Sequence, residues 1–473
     1  MTITKHTCRL AAAITIAGCT IFSAGCAVTQ QTPVAISRGT YTEIQPEEQQ
    51  KLPAEIKRLS LAEAQRISLQ NNPSFKSAYY AIQQAEAQYR KMWSYYMPTV
   101  NFSYSIGQNY SRAIDPSSGN HSQTTSSNPG FGMSLLVFDG FQREMNLLAA
   151  KHSWKETAAS EQDARRLLLR AVATAYNDVL LANAQSRIAV ANMKYNYDLL
   201  KETELKFEAG ACPLSDVLNF KVNYNSAEST LYSAEYAAIA AKIVLAQLLG
   251  LTEGTIPDAV EFPTMPSPDG EMLAGINFYL DLALKNRPDL KQYREAYEAA
   301  KYSYYSSIGA FSPTLTFDAS LDYTNANRRI TGKWGNANSR SRSRSWGFNY
   351  GLNLSWELFA GGRTYYAMRA AEAQMTAADF AVANTWITVI GDVRTAYENY
   401  QTNLKQVKLN QKNLALVRTQ RDLVYKEYNA GSTGITRLNE AQTALVNAEN
   451  ALAEAVINMH NAKAQLQAAT NSL

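Results

Sequence analysis

The spacing of apolar residues along the chain switches from a helical period to a strand period, and it does so twice. Residues 60–96 carry apolar positions at helical spacing, and residues 100–106 then alternate strictly between apolar and polar side chains. The same change occurs around Pro313, where residues 315–323 alternate. A period near 3.6 indicates a helix and a period of 2 indicates a strand. Each pattern therefore predicts a helix that leads directly into a strand.

The two patterns belong to an internal duplication. Pro98 and Pro313 lie 215 residues apart, whereas the downstream glycines Gly210 and Gly431 lie 221 residues apart. One six-residue insertion explains the change of offset, and a period above 200 residues predicts two copies of a domain-sized unit. The predicted organisation is as follows: signal peptide 1–26, extended leader 27–58, first repeat 59–250, proline-containing linker 251–275 and second repeat 276–473.

Each copy contains two predicted strands joined by a polar loop, over 108–130 in the first copy and 324–345 in the second. The clearest alternation lies in 346–358, where every second residue is large and apolar: Trp346, Phe348, Tyr350, Leu352, Leu354 and Trp356. The two tryptophans span about 33 Å of strand, or about 23 Å at a tilt near 45°, which matches the apolar band of an outer-membrane barrel. We predict that these residues face lipid. The alternative is a soluble sheet that covers a core.

Very long helices follow the second strand of each copy. The helical pattern covers about 142–207 and 364–428, or about 100 Å of helix in each case. The returning segments, 217–248 and 438–466, place apolar residues at alternating spacings of three and four, which indicates a coiled-coil seam. Gly210 and Gly431 are predicted to end the outgoing helices. Each copy is thus expected to finish in a long antiparallel helical hairpin.

Composition indicates no catalytic or metal-binding chemistry. The net charge of +4 gives no large field of one sign that would favour a nucleic-acid partner. Three of the four cysteines lie within the first 26 residues, and neither a CxxC pair nor a cysteine–histidine metal spacing occurs. Known hydrolase, zinc-protease and nucleotide-binding motifs are also missing from the sequence. We therefore expect no enzyme activity, no catalytic residues, no metal and no cofactor.

The amino terminus has the features of a secretory signal: a basic start followed by a short apolar run. The triplet AGC occurs twice, ending at Cys19 and at Cys26, and it resembles the cleavage box of bacterial lipoproteins. The residues before Cys19 fit the box better, but the apolar run stops only at Cys26. We predict lipidation of Cys26, with Cys19 as the alternative. An ordinary secretory signal remains a third possibility.

Four strands are too few to close a membrane barrel, because the smallest such barrels have about eight. Open strand edges are not tolerated in lipid. If the sheet lies in a membrane, several chains must share one barrel. Two chains would supply eight strands and three chains would supply twelve.

The chain resembles the TolC-type outer-membrane efflux channel family, in particular its lipoprotein branch, over about residues 60–470. The resemblance lies in the duplication, the strands that begin at Pro98 and Pro313, the junctions VFDGF and LFAGG, and the turns FEAGACPLSDVL and YNAGSTGITRLN. It implies an α+β membrane protein in which each chain contributes four strands to a shared outer-membrane β-barrel, twelve strands in a homotrimer. A long periplasmic α-helical coiled-coil barrel would continue from it.

The resemblance also implies partners and a gate. The tip of the helical barrel would dock a periplasmic adaptor driven by an inner-membrane transporter, and substrates would pass without chemistry. The family often carries acidic rings just after the second turn, where this chain has Arg437 and Glu440. Asp216 and Asn219 are the corresponding residues of the first copy. We expect Asp216 and Arg437 to pair and hold the tip closed; the alternative is two solvated charges.

Two further functions fit the same pattern: the exit duct of a type I protein secretion system, and a structural periplasmic coiled-coil lipoprotein. The predicted loop 324–345 is strongly basic and is expected to face the cell exterior. Its cations suggest contact with lipopolysaccharide phosphates. A flexible solvated loop is the alternative.

Overall fold

The computed structural model describes residue 52 and residues 56–112, 121–266, 273–331 and 339–472. The predicted signal peptide, both candidate lipidation sites (Cys19 and Cys26) and most of the predicted leader lie outside the described residues.

The described residues form the same series of elements twice. The first copy contains α1 (Leu61–Asn71), α2 (Pro73–Trp93), β1 (Thr99–Arg112), β2 (His121–Phe138), α3 (Gln142–Glu208) and α4 (Leu214–Leu248). The second contains α5 (Ile276–Asn286), α6 (Pro288–Gly309), β3 (Thr314–Thr331), β4 (Ser339–Ser355), α7 (Arg363–Asn429) and α8 (Ile435–Thr470). Helices α3 and α7 each have 67 residues. The predicted duplication is confirmed, and the predicted long helices agree with the observed ones to within one residue at each end.

The break between α1 and α2 follows from local chemistry. Asn72 has an extended backbone, and its side-chain oxygen accepts hydrogen bonds from the backbone N–H groups of Ser74 and Phe75. Pro73 then occupies the first position of α2, where no N–H is needed. Asn72 also donates to the carbonyl of Leu248 at 3.0 Å, so the break is tied to the end of the first hairpin.

The four strands form one antiparallel sheet in the order β1-β2-β3-β4. The strands are longer than predicted. Residues 108–112 and 121–130 belong to β1 and β2, and residues 324–331 and 339–345 belong to β3 and β4. The predicted loops over 108–130 and 324–345 are therefore wrong apart from their centres, which are not described. The sequence of these added strand ends consists largely of serine, threonine, asparagine and arginine, so it shows no apolar alternation. Their backbones nevertheless continue the hydrogen-bond ladder of the sheet.

The helices pack side by side in a fixed order. Near the sheet, the order of contacting helices is α2-α3-α6-α7; further away it is α4-α3-α8-α7. Apolar residues of the predicted seams are buried along the returning helices, among them Phe220, Leu231 and Leu245 in α4 and Leu438, Leu445 and Met459 in α8. The predicted coiled-coil seams are thus the contacts that hold each hairpin together.

A buried charge cluster lies where α3 of the first copy meets α6, α7 and α8 of the second copy. Arg287, whose side chain is 3% exposed, binds Asp289 and also donates to Asp392 at 2.9 Å. Arg166 donates to Asp163 at 2.9 Å and to the carbonyl of Ala468 at 3.0 Å. Burial alone would raise the pKa of Asp289, but the hydrogen bonds and charge of Arg287 outweigh it and hold that pKa below its ordinary value.

The predicted linker packs against the first copy. Leu251, Ile256 and Val260 are buried in the same core as Leu59 and Val179. A short parallel bridge also joins residue 58 to residue 261. Among the described helices, none is both long and apolar enough to cross a membrane.

Candidate functional site

The sheet has one apolar face, built in rows across all four strands. Residues directly opposite one another in an antiparallel sheet share a face. One row consists of Phe102, Phe131, Leu321 and Phe348, and the next consists of Val100, Met133, Ala319 and Tyr350. An aromatic row borders them: Tyr104, Tyr323 and Trp346. The Tyr323 and Trp346 rings lie 4.7 Å apart between centroids.

The large apolar side chains of this face are uncovered along the outer strands of the sheet. Trp346 is 73% exposed and Leu352 is 68% exposed. Phe348, Tyr350, Leu354 and Trp356 are exposed as well. Soluble proteins rarely leave so continuous an apolar surface uncovered. The sequence-predicted residues of β4 thus lie on one face, as the alternation requires, with Trp356 just beyond the strand end.

The opposite face is small and polar. Asp318 accepts hydrogen bonds from Ser134 at 2.6 Å and from Thr316 at 2.9 Å, and Asp322 accepts one from Ser320 at 2.8 Å. Glycines fill much of the remaining surface. At Gly130 a Cβ atom would lie only 2.6 Å from a carboxylate oxygen of Asp322. This face is therefore shaped for water and not for lipid.

A β-bulge adjusts the end of β2. Leu136 pairs with Thr316, but Phe138 pairs with Leu315, so Val137 is the extra residue. Without the bulge, Val137 and not Phe138 would continue the apolar face. The bulge accounts for the break in alternation at Val137 and Phe138, whereas Leu136 remains opposite Thr316 on the polar face.

The two hairpin turns have the same construction. Gly210 and Gly431 have φ of 73° and 74°, a conformation in which glycine carries no Cβ penalty. The N–H of Ala211 donates to the carbonyl of Lys206 at 2.7 Å, and that of Ser432 donates to the carbonyl of Glu427 at 2.9 Å. These bonds complete a Schellman motif at each turn. Both glycines lie where the sequence predicts the outgoing helices to end.

The turns lie beside each other and share a small core. Leu199, Leu200, Phe220, Val424, Leu438 and Ala441 form a buried cluster drawn from both hairpins. Tyr428 packs its ring edge-on against Phe220, with centroids 6.5 Å apart, and Lys206 lies 5.4 Å from the Tyr428 ring. The side chain of Asn439 donates to that of Asn219 at 3.0 Å. The first and second hairpins are thus held together at the tip within one chain.

The predicted gate residues lie in the first turns of the returning helices. Asp216 is half-buried, whereas Arg437 and Glu440 are exposed. Burial raises the pKa of Tyr428, the charge of Lys206 opposes this, and the Asp216 carboxylate adds to it. The described residues contain no ion pair between Asp216 and Arg437.

Sequence reasoning missed two features of the tip. The side chain of Asn439 forms a hydrogen bond with that of Asn219, and the ring of Tyr428 packs against Phe220 of the first hairpin. Only the offset of 221 residues pointed to this region, since it aligned the two turns without showing which faces meet. The part of the chain that the structure describes contains no cluster of histidine, cysteine or acidic residues able to hold a metal ion. Cys212, near the first turn, is a free thiol.

Comparison with known proteins agrees with this architecture. The alkaline protease secretion protein AprF of Pseudomonas aeruginosa is 25% identical over 422 residues, which cover 86% of this chain and 84% of AprF. The outer membrane protein TolC of Escherichia coli is 24% identical over 365 residues, 76% of this chain and 72% of TolC. The crystal structure of CusC superposes with a TM-score of 0.75 at 18% identity, covering 92% of this chain and 96% of CusC.

The family model described as outer membrane efflux protein matches residues 66–251 and 279–472, one segment in each copy. These segments contain the four strands and both hairpin turns. The predicted α+β fold with a duplicated unit is confirmed, and the chain belongs to the outer membrane efflux protein family, whose channels lie in the cell outer membrane.

Proposed function

We propose that three copies of this chain form the outer-membrane exit duct of a tripartite efflux pump. The observation that carries the proposal is the sheet with one uncovered apolar face, joined at one end to helices about 100 Å long. The sheet would lie in the outer membrane, and the helices would extend through the periplasm. Drugs or other small molecules would pass through the duct without chemical change.

The free edges of the single chain support assembly. In the sheet, β1 and β4 each lack a neighbour on one side. In the helical part, α4 and α7 are the outermost helices of the lateral order. Both bear exposed apolar residues at helical spacing: Leu214, Leu218 and Val222 in α4, and Leu409, Leu416 and Leu423 in α7. Joining β4 to β1 and α7 to α4 of the next subunit would cover all these edges. Three subunits would then give a barrel of twelve strands.

The polar face of the sheet would line the duct. Asp318, Asp322 and their serine and threonine partners would contact water, and the glycines would leave the lumen wide. Such a surface selects weakly among solutes. Specificity would then come from the partners: a periplasmic adaptor that docks on the tip, and an inner-membrane transporter that loads it.

The tip is the natural docking site because both hairpin turns meet there. Asp216, Arg437 and Glu440 lie next to the turns, so charge at the tip would be available both to a neighbouring subunit and to an adaptor. Pairing of Asp216 with Arg437 between subunits would favour a closed tip. Adaptor contacts would compete with that pair and open the duct.

A deletion strain tests the proposed function. Loss of this chain should lower the minimum inhibitory concentrations of several unrelated small toxic compounds, and the wild-type gene should restore them. The matched control is Leu352→Arg, which should fail to restore resistance because it places a charge on the lipid-facing side. Unchanged susceptibility to every compound, together with normal export of proteins, would contradict a role as an exit duct.

A protein-secretion duct is the second candidate, favoured by the similarity to AprF, a protein named for alkaline protease secretion. The same deletion strain separates the two functions. Loss of a protein from the culture medium with unchanged drug susceptibility would assign the duct to secretion. A structural periplasmic lipoprotein, the third candidate, would form no heat-resistant trimer in detergent.

A further inference from the structure

The outward-facing ends of the strands carry a row of arginines on the same face as the apolar rows. The register of β3 with β4 is unbroken from Thr314 to Ile330. Counting by twos beyond Trp346 therefore keeps Arg344, Arg342 and Arg340 on the apolar face, with Arg329 directly opposite Arg340. Arg328 belongs to the other face, where it donates to Ser122 at 3.0 Å.

These four arginines, Arg329, Arg340, Arg342 and Arg344, form what we call the arginine band. All four are exposed, and none forms an ion pair with another described residue. Residues 105–112, 121–127, 325–331 and 339–345, which make up the outer half of the sheet, contain no aspartate or glutamate. Among the described residues, no acidic side chain therefore opposes the positive charge of the band.

The band begins in the layer where lipid headgroups would border the apolar rows, and it continues outward from that layer. At about 3.3 Å per residue and a tilt near 45°, Arg344, Arg342 and Arg340 lie about 5 Å, about 9 Å and about 14 Å beyond the Trp346 row. Headgroup layers occupy roughly 5–8 Å on each side of the hydrocarbon core. The long helices leave from the other end of the sheet, so the band lies on the side away from the periplasm.

We propose that the arginine band binds the phosphates of the phosphorylated glycolipid, lipid A, in the outer leaflet around the duct. This inference rests on the proposed function, since it requires the sheet to lie in the outer membrane. Guanidinium groups match phosphate oxygens with two parallel hydrogen bonds. The apolar rows just below would contact the acyl chains of the same lipid. The band would thereby fix the depth of the duct in the membrane and seal lipid against its wall.

The alternation Ser339-Arg340-Ser341-Arg342-Ser343-Arg344-Ser345 allows a control with unchanged composition. The neutral variant carries Arg340→Gln, Arg342→Gln and Arg344→Gln. The exchanged variant moves each of these arginines one position along, with serine at 340, 342 and 344 and Ser341→Arg, Ser343→Arg and Ser345→Arg. It keeps the net charge but turns the three cations to the lumen face.

The purified trimers are titrated with bisphosphorylated lipid A and with its dephosphorylated form, and native mass spectrometry counts the lipids bound. Wild type should bind the phosphorylated form preferentially. The neutral variant should bind it on the order of 100-fold more weakly, since each cation near an anionic lipid surface contributes roughly a five-fold factor. The exchanged variant should lose binding to the same extent.

Equal binding of the two lipid forms by wild type would overturn the inference, and so would full binding by the exchanged variant. If either triple variant fails to assemble, Arg342→Gln alone should still weaken binding by about five-fold, and an unchanged affinity would count against the band. The same spectra report the number of chains in the complex. A wild-type protein that is not trimeric contradicts the proposed function, whereas a trimer indifferent to phosphate contradicts only the arginine band.

Discussion

Arginine placed on the two faces of β4 should have very different effects on assembly. Leu352 lies on the apolar face opposite Phe317, and Asn353 lies on the polar face opposite Thr316. The two positions are adjacent in sequence, and in each the new side chain, arginine, is the same. Leu352→Arg and Asn353→Arg therefore differ almost only in the solvent that the arginine meets.

The magnitude follows from depth in the membrane. Leu352 lies four residues from Trp356 and six from Trp346, so it is close to the middle of the band that these tryptophans delimit. An arginine at the midplane of the lipid face costs about 2–4 kcal/mol in each subunit. Three copies raise the total to roughly 6–12 kcal/mol per trimer. Asn353→Arg should cost well under about 1 kcal/mol, because a lumen-facing arginine stays hydrated.

The assay is the fraction of heat-resistant trimer in outer-membrane extracts, measured by electrophoresis without boiling and normalised to total protein after boiling. Leu352→Arg should abolish the trimer band, whereas Asn353→Arg should leave it near the wild-type level. Leu352→Ala serves as the control for lost apolar area and should retain most of the trimer. Equal loss in both arginine variants would refute the assignment of the two faces, and equal tolerance would refute the assignment of lipid as the solvent.

Three further predictions concern other parts of the chain. Arg287→Ala should lower the free energy of unfolding, measured by urea denaturation, by about 2–4 kcal/mol, because it leaves a partly buried carboxylate unpaired. Since Arg287 lowers the pKa of Asp289, this stabilisation is present above about pH 4 and is lost as the pH falls through that lowered pKa. The free energy of unfolding of the variant should therefore depend less on acid pH than that of the wild type. Arg437→Asp should raise single-channel conductance in planar bilayers, and adding Asp216→Arg should restore the wild-type level; a double variant as conductive as the single one would exclude a charge pair at the tip. Mass spectrometry of the mature amino terminus should find a lipidated Cys26, and an unmodified terminus at any other residue would contradict lipidation.

The sequence predicted features that repeat along a single element. The helix bounds, the break at Pro73 and the turn glycines Gly210 and Gly431 all depend on local spacing, and the structure places each where expected. The apolar face of β4 was also predictable, because strict alternation assigns faces without any knowledge of neighbouring strands. Apolar periodicity was thus sufficient to predict the α+β architecture.

Features that depend on contacts between elements were not predictable in this way. The outer ends of the strands have polar residues on both faces, so their sequence lacks the alternation that marks a strand, although the backbone ladder continues through them. The bulge at Val137 appeared only as an imperfect pattern, and its effect depends on the register with β3. Similarly, the hydrogen bond between Asn219 and Asn439 depends on how the two hairpins pack.

Assembly into a three-chain duct is tested most directly by the native mass of the complex extracted from isolated outer membranes in a mild nonionic detergent. We expect a single species that contains three copies of the processed chain, because three four-stranded sheets close a barrel of twelve strands and cover every free edge. A complex of one or two copies, or recovery of the protein in the soluble periplasmic fraction, would contradict it.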